Sequence, residues 1–120
     1  MSTQLQFPGG AMSQQTCQPV VGSGAGLVTC AQVALTQANI WIVRLSCIAV
    51  SGSFSPSNCA IGEVHLFVTS DGTTAQVANT IWAAYSGNLT LNVYASGNTV
   101  YYQAGGVSNA SYTMSVHMGL

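Results

Sequence analysis

Arg44, Glu63, Asp71, His65 and His117 are the only charged or imidazole side chains in this 120-residue chain, so acid–base chemistry at neutral pH would draw first on them. A metal centre would need ligands at recognisable spacing, and the sequence holds no CxxC, no HxxxH, and two histidines far apart. Ser/His/Asp catalysis needs an aspartate to orient the histidine. The single Asp71 stands before Gly72, where a turn already explains it. Glycoside hydrolysis needs two carboxyl groups on one cleft, and Asp71 and Glu63 are the only side-chain candidates. No catalytic residue, metal ligand or cofactor site is expected, and the chain is read as non-enzymatic.

The four cysteines are the next reactive set. Cys17 and Cys30 flank the glycine-rich stretch around Ser23-Gly24, and Cys47 and Cys59 are equidistant from Ser53. Opposed strand positions bring Cβ atoms within about 4.5 to 5.5 Å, so each pair is a candidate disulfide, with Cys47–Cys59 the better placed. Each bridge would contribute roughly 3 kcal/mol by restricting the unfolded chain. The alternative is four small apolar side chains, reduced and buried.

Arg44 lies in a run, NIWIVRLSCIAVS, that is apolar on both sides of a strand. Trp41, Val43, Leu45, Cys47 and Ala49 share one side, while Ile40, Ile42, Ile48 and Val50 share the other with Arg44 and Ser46. Such a strand is covered on both faces, by another layer or another subunit. A buried Arg44 then needs a partner. Glu63 is the candidate, brought opposite by a one-residue bulge near Gly62 in a hairpin otherwise centred on Ser53.

Residues 88 to 103, NLTLNVYASGNTVYYQ, organise the rest of the chain as a β-hairpin. Leu89, Leu91, Val93 and Ala95 fall on one face with Val100 and Tyr102. Ser96-Gly97-Asn98 supplies the tight loop, through either Ser-Gly or Gly-Asn. The other face carries Asn92, Tyr94, Tyr101 and Gln103, an aromatic-polar surface that suits a sugar ring, a subunit interface or a plain exposed sheet.

The remaining segments read as further strands. LVTCAQVALT, CAIGEVHLFVTS, TTAQVANTIWAAY and ASYTMSVHM are separated by turn-forming residues, and none carries a convincing helical period. The expectation is an all-β fold, an antiparallel β-sandwich or jelly-roll-like domain over residues 27 to 120, preceded by an extended Gln- and Gly-rich arm over residues 1 to 26. Either a neighbouring subunit or the arm's own domain can hold it.

Composition narrows the class. Charged residues are 2% of the chain, against roughly 25% in an average domain, and the formal net charge is −1. Nucleic-acid binding needs Lys and Arg that are absent. No apolar run approaches the ~20 residues of a membrane-crossing helix, and no secretory signal is expected from the N-terminal residues. With so little charge to keep copies apart, a homo-oligomer or a subunit of an assembly is expected.

Residues 60 to 118 resemble the small β-sandwich modules of tailed-bacteriophage virions, such as head decoration, head-fibre and tail-fibre modules. The residues that carry the resemblance are HLFVTSDG, the GNLTLNVYASGNTVYY hairpin and the YTMSVHM strand. The resemblance implies a virion location and a non-enzymatic subunit that decorates or cements a shell. Its implied partners are its own copies and the major capsid protein or another virion protein. The alternative is a receptor-binding or lectin-like module of tail-fibre or adhesin type that contacts glycans.

Overall fold

The computed structural model describes residues 3–5, 12–17, 26–52, 55, 57–78 and 80–119, the first two segments by backbone alone. Ten strands are formed among these residues: β1 (Thr3–Leu5), β2 (Met12–Cys17), β3 (Val28–Ala34), β4 (Ala38–Val50), β5 (Cys59–Asp71), β6 (Ala75–Val77), β7 (Trp82–Tyr85), β8 (Thr90–Ser96), β9 (Thr99–Gly105) and β10 (Ser111–Gly119). There is no helix among them, hence none long and apolar enough to cross a membrane.

Two sheets pack face to face. One has the order β1-β3-β9-β8, and the other β2-β10-β4-β5-β6 with β7 also paired to β5. Neighbours are antiparallel except β1 and β3, which run parallel. Two pieces of the N-terminal stretch therefore each add a strand to their own domain, β1 beside β3 and β2 beside β10. The rest of residues 1 to 25 lies outside the described residues.

The alternation expected of an antiparallel sandwich is present strand by strand. Trp41, Val43, Leu45, Cys47 and Ala49 of β4 are buried against Val64, Leu66 and Val68 of β5 and Tyr112, Met114, Val116 and Met118 of β10. The facing sheet contributes Val33, Leu91, Val100, Tyr102 and Ala104 to the same core. Removing this apolar surface from water is the main drive for the two layers to close.

The hairpin of β8 and β9 turns through Gly97-Asn98, with Ser96 opposite Thr99 and Gly97 at a φ of 59°. Glycine reaches that conformation without steric cost. The tip is anchored from both sheets, since the Gly97 carbonyl accepts from Ala75 N–H and the Asn98 carbonyl from Leu35 N–H, each at 2.8 Å. At the β5–β6 turn, Asp71 Oδ1 accepts the Thr73 and Thr74 N–H groups at 2.8 and 2.7 Å. Those two bonds hold the exposed carboxyl below its usual range, and the turn accounts for Asp71.

The β4–β5 hairpin corrects two expectations. Its strands pair without a break from Ala38↔Asp71 to Val50↔Cys59, and the loop closes with Ser51 N–H on the Asn58 carbonyl at 2.9 Å. No bulge forms at Gly62. Its missing Cβ instead makes room for the Tyr85 ring, which would lie 2.8 Å from a β-carbon there. Arg44 consequently faces His65, and Glu63 faces Ser46. Among the described residues the expected Arg44–Glu63 ion pair is not formed; Glu63 pairs with His65.

The same register separates Cys47 from Cys59. Cys47 is opposite Gly62 and Cys59 is opposite Val50, an offset of three rungs that puts the two thiols on opposite faces of the sheet. Both are free, and no rotamer can join them.

Candidate functional site

The outer face of the six-stranded sheet is where the structure concentrates its chemistry. His117 of β10 pairs with Arg44 of β4, Arg44 with His65 of β5, and His65 with Trp82 of β7. These residues form one row about 14 Å long, at ~4.8 Å per strand. Glu63 lies two residues along β5 from His65. Four of the five charged or imidazole side chains thus share one patch, while Asp71 sits apart at the end of β5.

The polar centre is internally bonded. His65 Nε2 lies 2.9 Å from Glu63 Oε2, and because a carboxylate only accepts, Nε2 carries the hydrogen. Ser46 Oγ donates to Glu63 Oε1 at 3.2 Å. The Trp82 ring leans on His65, with centroids 4.8 Å apart and planes at 47°. Arg44 is exposed and, among the described residues, makes no ion pair.

Around this centre the face is apolar. Ile48 and Ile61 lie on one side of it, and Ile42, Ile40 and Phe67 on the other, all exposed by a third to more than half of their surface. An open groove of about 480 Å³ runs beside the polar centre, with Ser46, Glu63, Thr113 and Ser115 lining it between Ile48 and Trp82. Its edge is fixed by backbone bonds from the connections around β7. Ile81 N–H donates to the His65 carbonyl and Ser86 N–H to the Ile61 carbonyl, each at 2.7 Å.

The two side-chain carboxylates are not placed together as a glycosidase pair. Glu63 and Asp71 lie eight residues apart on one strand, about 26 Å at ~3.3 Å per residue, too far to flank one bond. Among the described residues no group of three His, Cys, Asp or Glu is placed to hold a metal ion.

The tyrosine surface expected from the hairpin is assembled as a cross-strand ladder. Tyr94 and Tyr101 stack with centroids 4.8 Å apart and planes at 12°, so one face of each ring is covered by the other. Asn92 Nδ2 donates to Gln103 Oε1 at 2.9 Å, and Gln103 Nε2 donates to Thr29 Oγ1 at 3.2 Å. Alternation along the hairpin suffices to set these four on one face, whereas no local signal in the sequence joins Trp82, His65, His117 and Ser115. The outward phase of ASYTMSVHM places Ser115 and His117 on one face, and only the register of β4, β5 and β10 unites them with Arg44.

Cys30 is disulfide-bonded, and the side chain of Cys17 lies outside the described residues. Cys17 as its partner remains a proposal; β2 and β3 belong to different sheets, so that bridge would tie the two layers together. Burial pushes the Cys47 thiol up to about 12. Its contribution to stability is therefore fully present below pH 9.0, the ordinary thiol value, and is lost as the pH rises toward 12. Maleimide labelling of native, unreduced protein at pH 7 is expected to modify Cys59 and spare Cys47. Labelling after unfolding without reductant should add two groups in total, and four would remove the Cys17–Cys30 bridge.

No protein-family model and no curated protein matches this chain. Among solved structures, it is similar to the crystal structure of the tailspike protein of Acinetobacter baumannii phage AM24. The identity is 12% and the TM-score 0.48, over 89% of this chain and 26% of that one. It is also similar to the tailspike protein of Acinetobacter phage vB_ApiP_P1, with 18% identity and a TM-score of 0.48, over 88% of this chain and 21% of that one. Both solved structures are phage tailspike proteins, and the chain spans about a quarter or less of their length.

Proposed function

We propose that this chain is a non-enzymatic structural subunit of a bacteriophage virion, which packs on its own copies and on a larger scaffold through the outer face of its six-stranded sheet. The observation that carries the reading is the apolar character of that face. Ile40, Ile42, Ile48, Ile61, Phe67 and Trp82 stand exposed on one surface around the only arginine of the chain. Contiguous apolar patches of this kind mark contact surfaces. The scarcity of charge supports it too, because little repulsion opposes close packing of copies. The resemblance of residues 60 to 118 to small virion modules supports the virion setting, and decoration or cementing of the major capsid protein is the finer form of the proposal.

A second reading, a receptor-binding module that holds a glycan, is favoured by the groove beside Glu63. Trp82 offers an aromatic surface, and Glu63, Ser46, Thr113 and Ser115 offer hydrogen-bonding groups for sugar hydroxyls. Asn92, Tyr94, Tyr101 and Gln103 form the other candidate glycan surface.

One set of variants tests both. In sedimentation velocity over a range of concentrations, Ile48→Asp and Ile61→Asp are each expected to weaken self-association by about 30-fold or more. Unchanged association in both would sink the assembly reading. Glycan-array binding that is lost in Trp82→Ala, or in Tyr94→Ala and Tyr101→Ala, would favour the second reading instead.

A further inference from the structure

We infer that the outer face of the six-stranded sheet is a twofold self-interface, in which Arg44 of each copy rests on Glu63 of the other. The inference builds on the assembly reading above and names the partner and the pairing. Arg44 and Glu63 are diagonal neighbours, because Arg44 faces His65 and Ser46 faces Glu63. Diagonal positions lie ~7 to 8 Å apart. Within one chain Glu63 turns to His65 and Ser46, and Arg44 is left in solvent without an ion pair among the described residues.

A twofold axis lying between two such faces, across the Arg44–Glu63 diagonal, exchanges its two ends. Each arginine is then carried over the partner's carboxylate. Glu63 can accept these bonds, since Ser46 bonds one of its oxygens and His65 the other, and a carboxylate offers about four lone-pair sites. The pairing removes the main obstacle to covering this face, which is the cost of burying an unpaired guanidinium among isoleucines.

Charge also selects the face's own copy as the occupant. The patch carries one arginine and one glutamate, so it is neutral and complementary to itself, as an isologous contact requires. The one other side-chain carboxylate, Asp71, lies at the far end of β5 on this same face, and its Oδ1 already accepts the Thr73 and Thr74 N–H groups, which leaves Glu63 as the acceptor beside Arg44. Size permits it as well. The molecule spans 42 × 26 × 21 Å, so a side running its full length exceeds the ~800 Å² per partner of a standard interface.

The test uses the full chain and two charge reversals. In sedimentation velocity, Arg44→Glu and Glu63→Arg are each expected to weaken self-association by about 30-fold or more, because each sets like charges against one another at two points. Mixing the two variants should restore association to near the wild-type level, since both contacts of the mixed pair again join opposite charges. The double variant Arg44→Glu/Glu63→Arg should associate like wild type. Circular dichroism confirms that each variant is folded, and Arg44→Gln, which leaves the Glu63 bonds intact, should weaken association in the same direction. If the wild type self-associates and Ile48→Asp abolishes this, but the mixture stays monomeric, the twofold pairing is overturned and the assembly reading stands. A wild type that stays monomeric at all concentrations overturns the inference and leaves only attachment to a different scaffold protein.

Discussion

Gly106→Ala is expected to destabilise the domain by about 3 kcal/mol or more, lowering its melting temperature by about 12 °C at ~4 °C per kcal/mol. Gly106 opens the connection between β9 and β10, where the chain crosses from one sheet to the other. Two costs combine there. Its φ is 92°, a conformation that alanine adopts only with strain. A β-carbon would also run into the Asn88 carbonyl oxygen, and would lie 3.1 Å from the carbonyl carbon and 3.2 Å from Thr90 Oγ1. Asn88 belongs to another crossing, from β7 to β8, so Gly106 marks a point where two backbones pass in contact. Gly52→Ala separates the costs, because Gly52 has a φ of 85° with no atom within 4 Å of its would-be β-carbon. Thermal unfolding of both variants should show Gly52→Ala losing about 1 kcal/mol and Gly106→Ala distinctly more. Equal losses would mean that the contact with Asn88 is unimportant and that backbone strain alone is at work.

How much of this molecule is legible in its residues depends on whether a local signal or a register carries the feature. The β8–β9 hairpin is local. Alternation assigns Leu91, Val93 and Tyr102 to the core side, and Gly97 stands where the turn needs positive φ. The β10 strand is local too, with Tyr112, Met114, Val116 and Met118 all buried.

The β4–β5 register is not local. Setting the apolar sets of the two strands together fixes only the parity of the pairing, so sliding one strand by two residues keeps Trp41, Val43 and Leu45 beside Val64, Leu66 and Val68. The sequence loop GSFSPSN has no turn signature that fixes how many residues stay unpaired. A slide of two rungs from the bulged hairpin moves Arg44 from Glu63 to His65 and creates the site. The Cys47–Cys59 pairing fails for a related reason, since equal distance from Ser53 imposes the wrong parity. Trp82 is hidden differently. TTAQVANTIWAAY has no glycine or proline to mark the break between β6 and β7, which arises from tertiary bonds of Ala78 and Ile81 to the edge of β5.

Tyr112 is the second residue on which the site depends. It is fully buried at the start of β10, and its hydroxyl donates to the Val107 carbonyl at 2.8 Å and accepts from Val107 N–H at 3.3 Å. This pair of bonds pins the crossing that delivers β10, and with it Ser115 and His117, between β2 and β4. Tyr112→Phe keeps the ring and removes both bonds, so a loss of about 1 to 2 kcal/mol in denaturant unfolding is expected. Tyr112→Ala also leaves a cavity, and the expected loss is about 3 to 5 kcal/mol. Burial pushes the Tyr112 phenol up, against a smaller opposing effect of the Val107 backbone bond. The proton is therefore held more tightly in the folded chain. Stability due to the phenol is fully present below pH 10.0 and falls as the pH rises through the raised value. The gap between wild type and Tyr112→Phe should accordingly narrow above pH 10 and stay constant from pH 6 to 9. A gap that is constant over the whole range would mean that folding does not hold the phenol proton more tightly, and no gap at any pH would mean that the crossing is held by the ring alone.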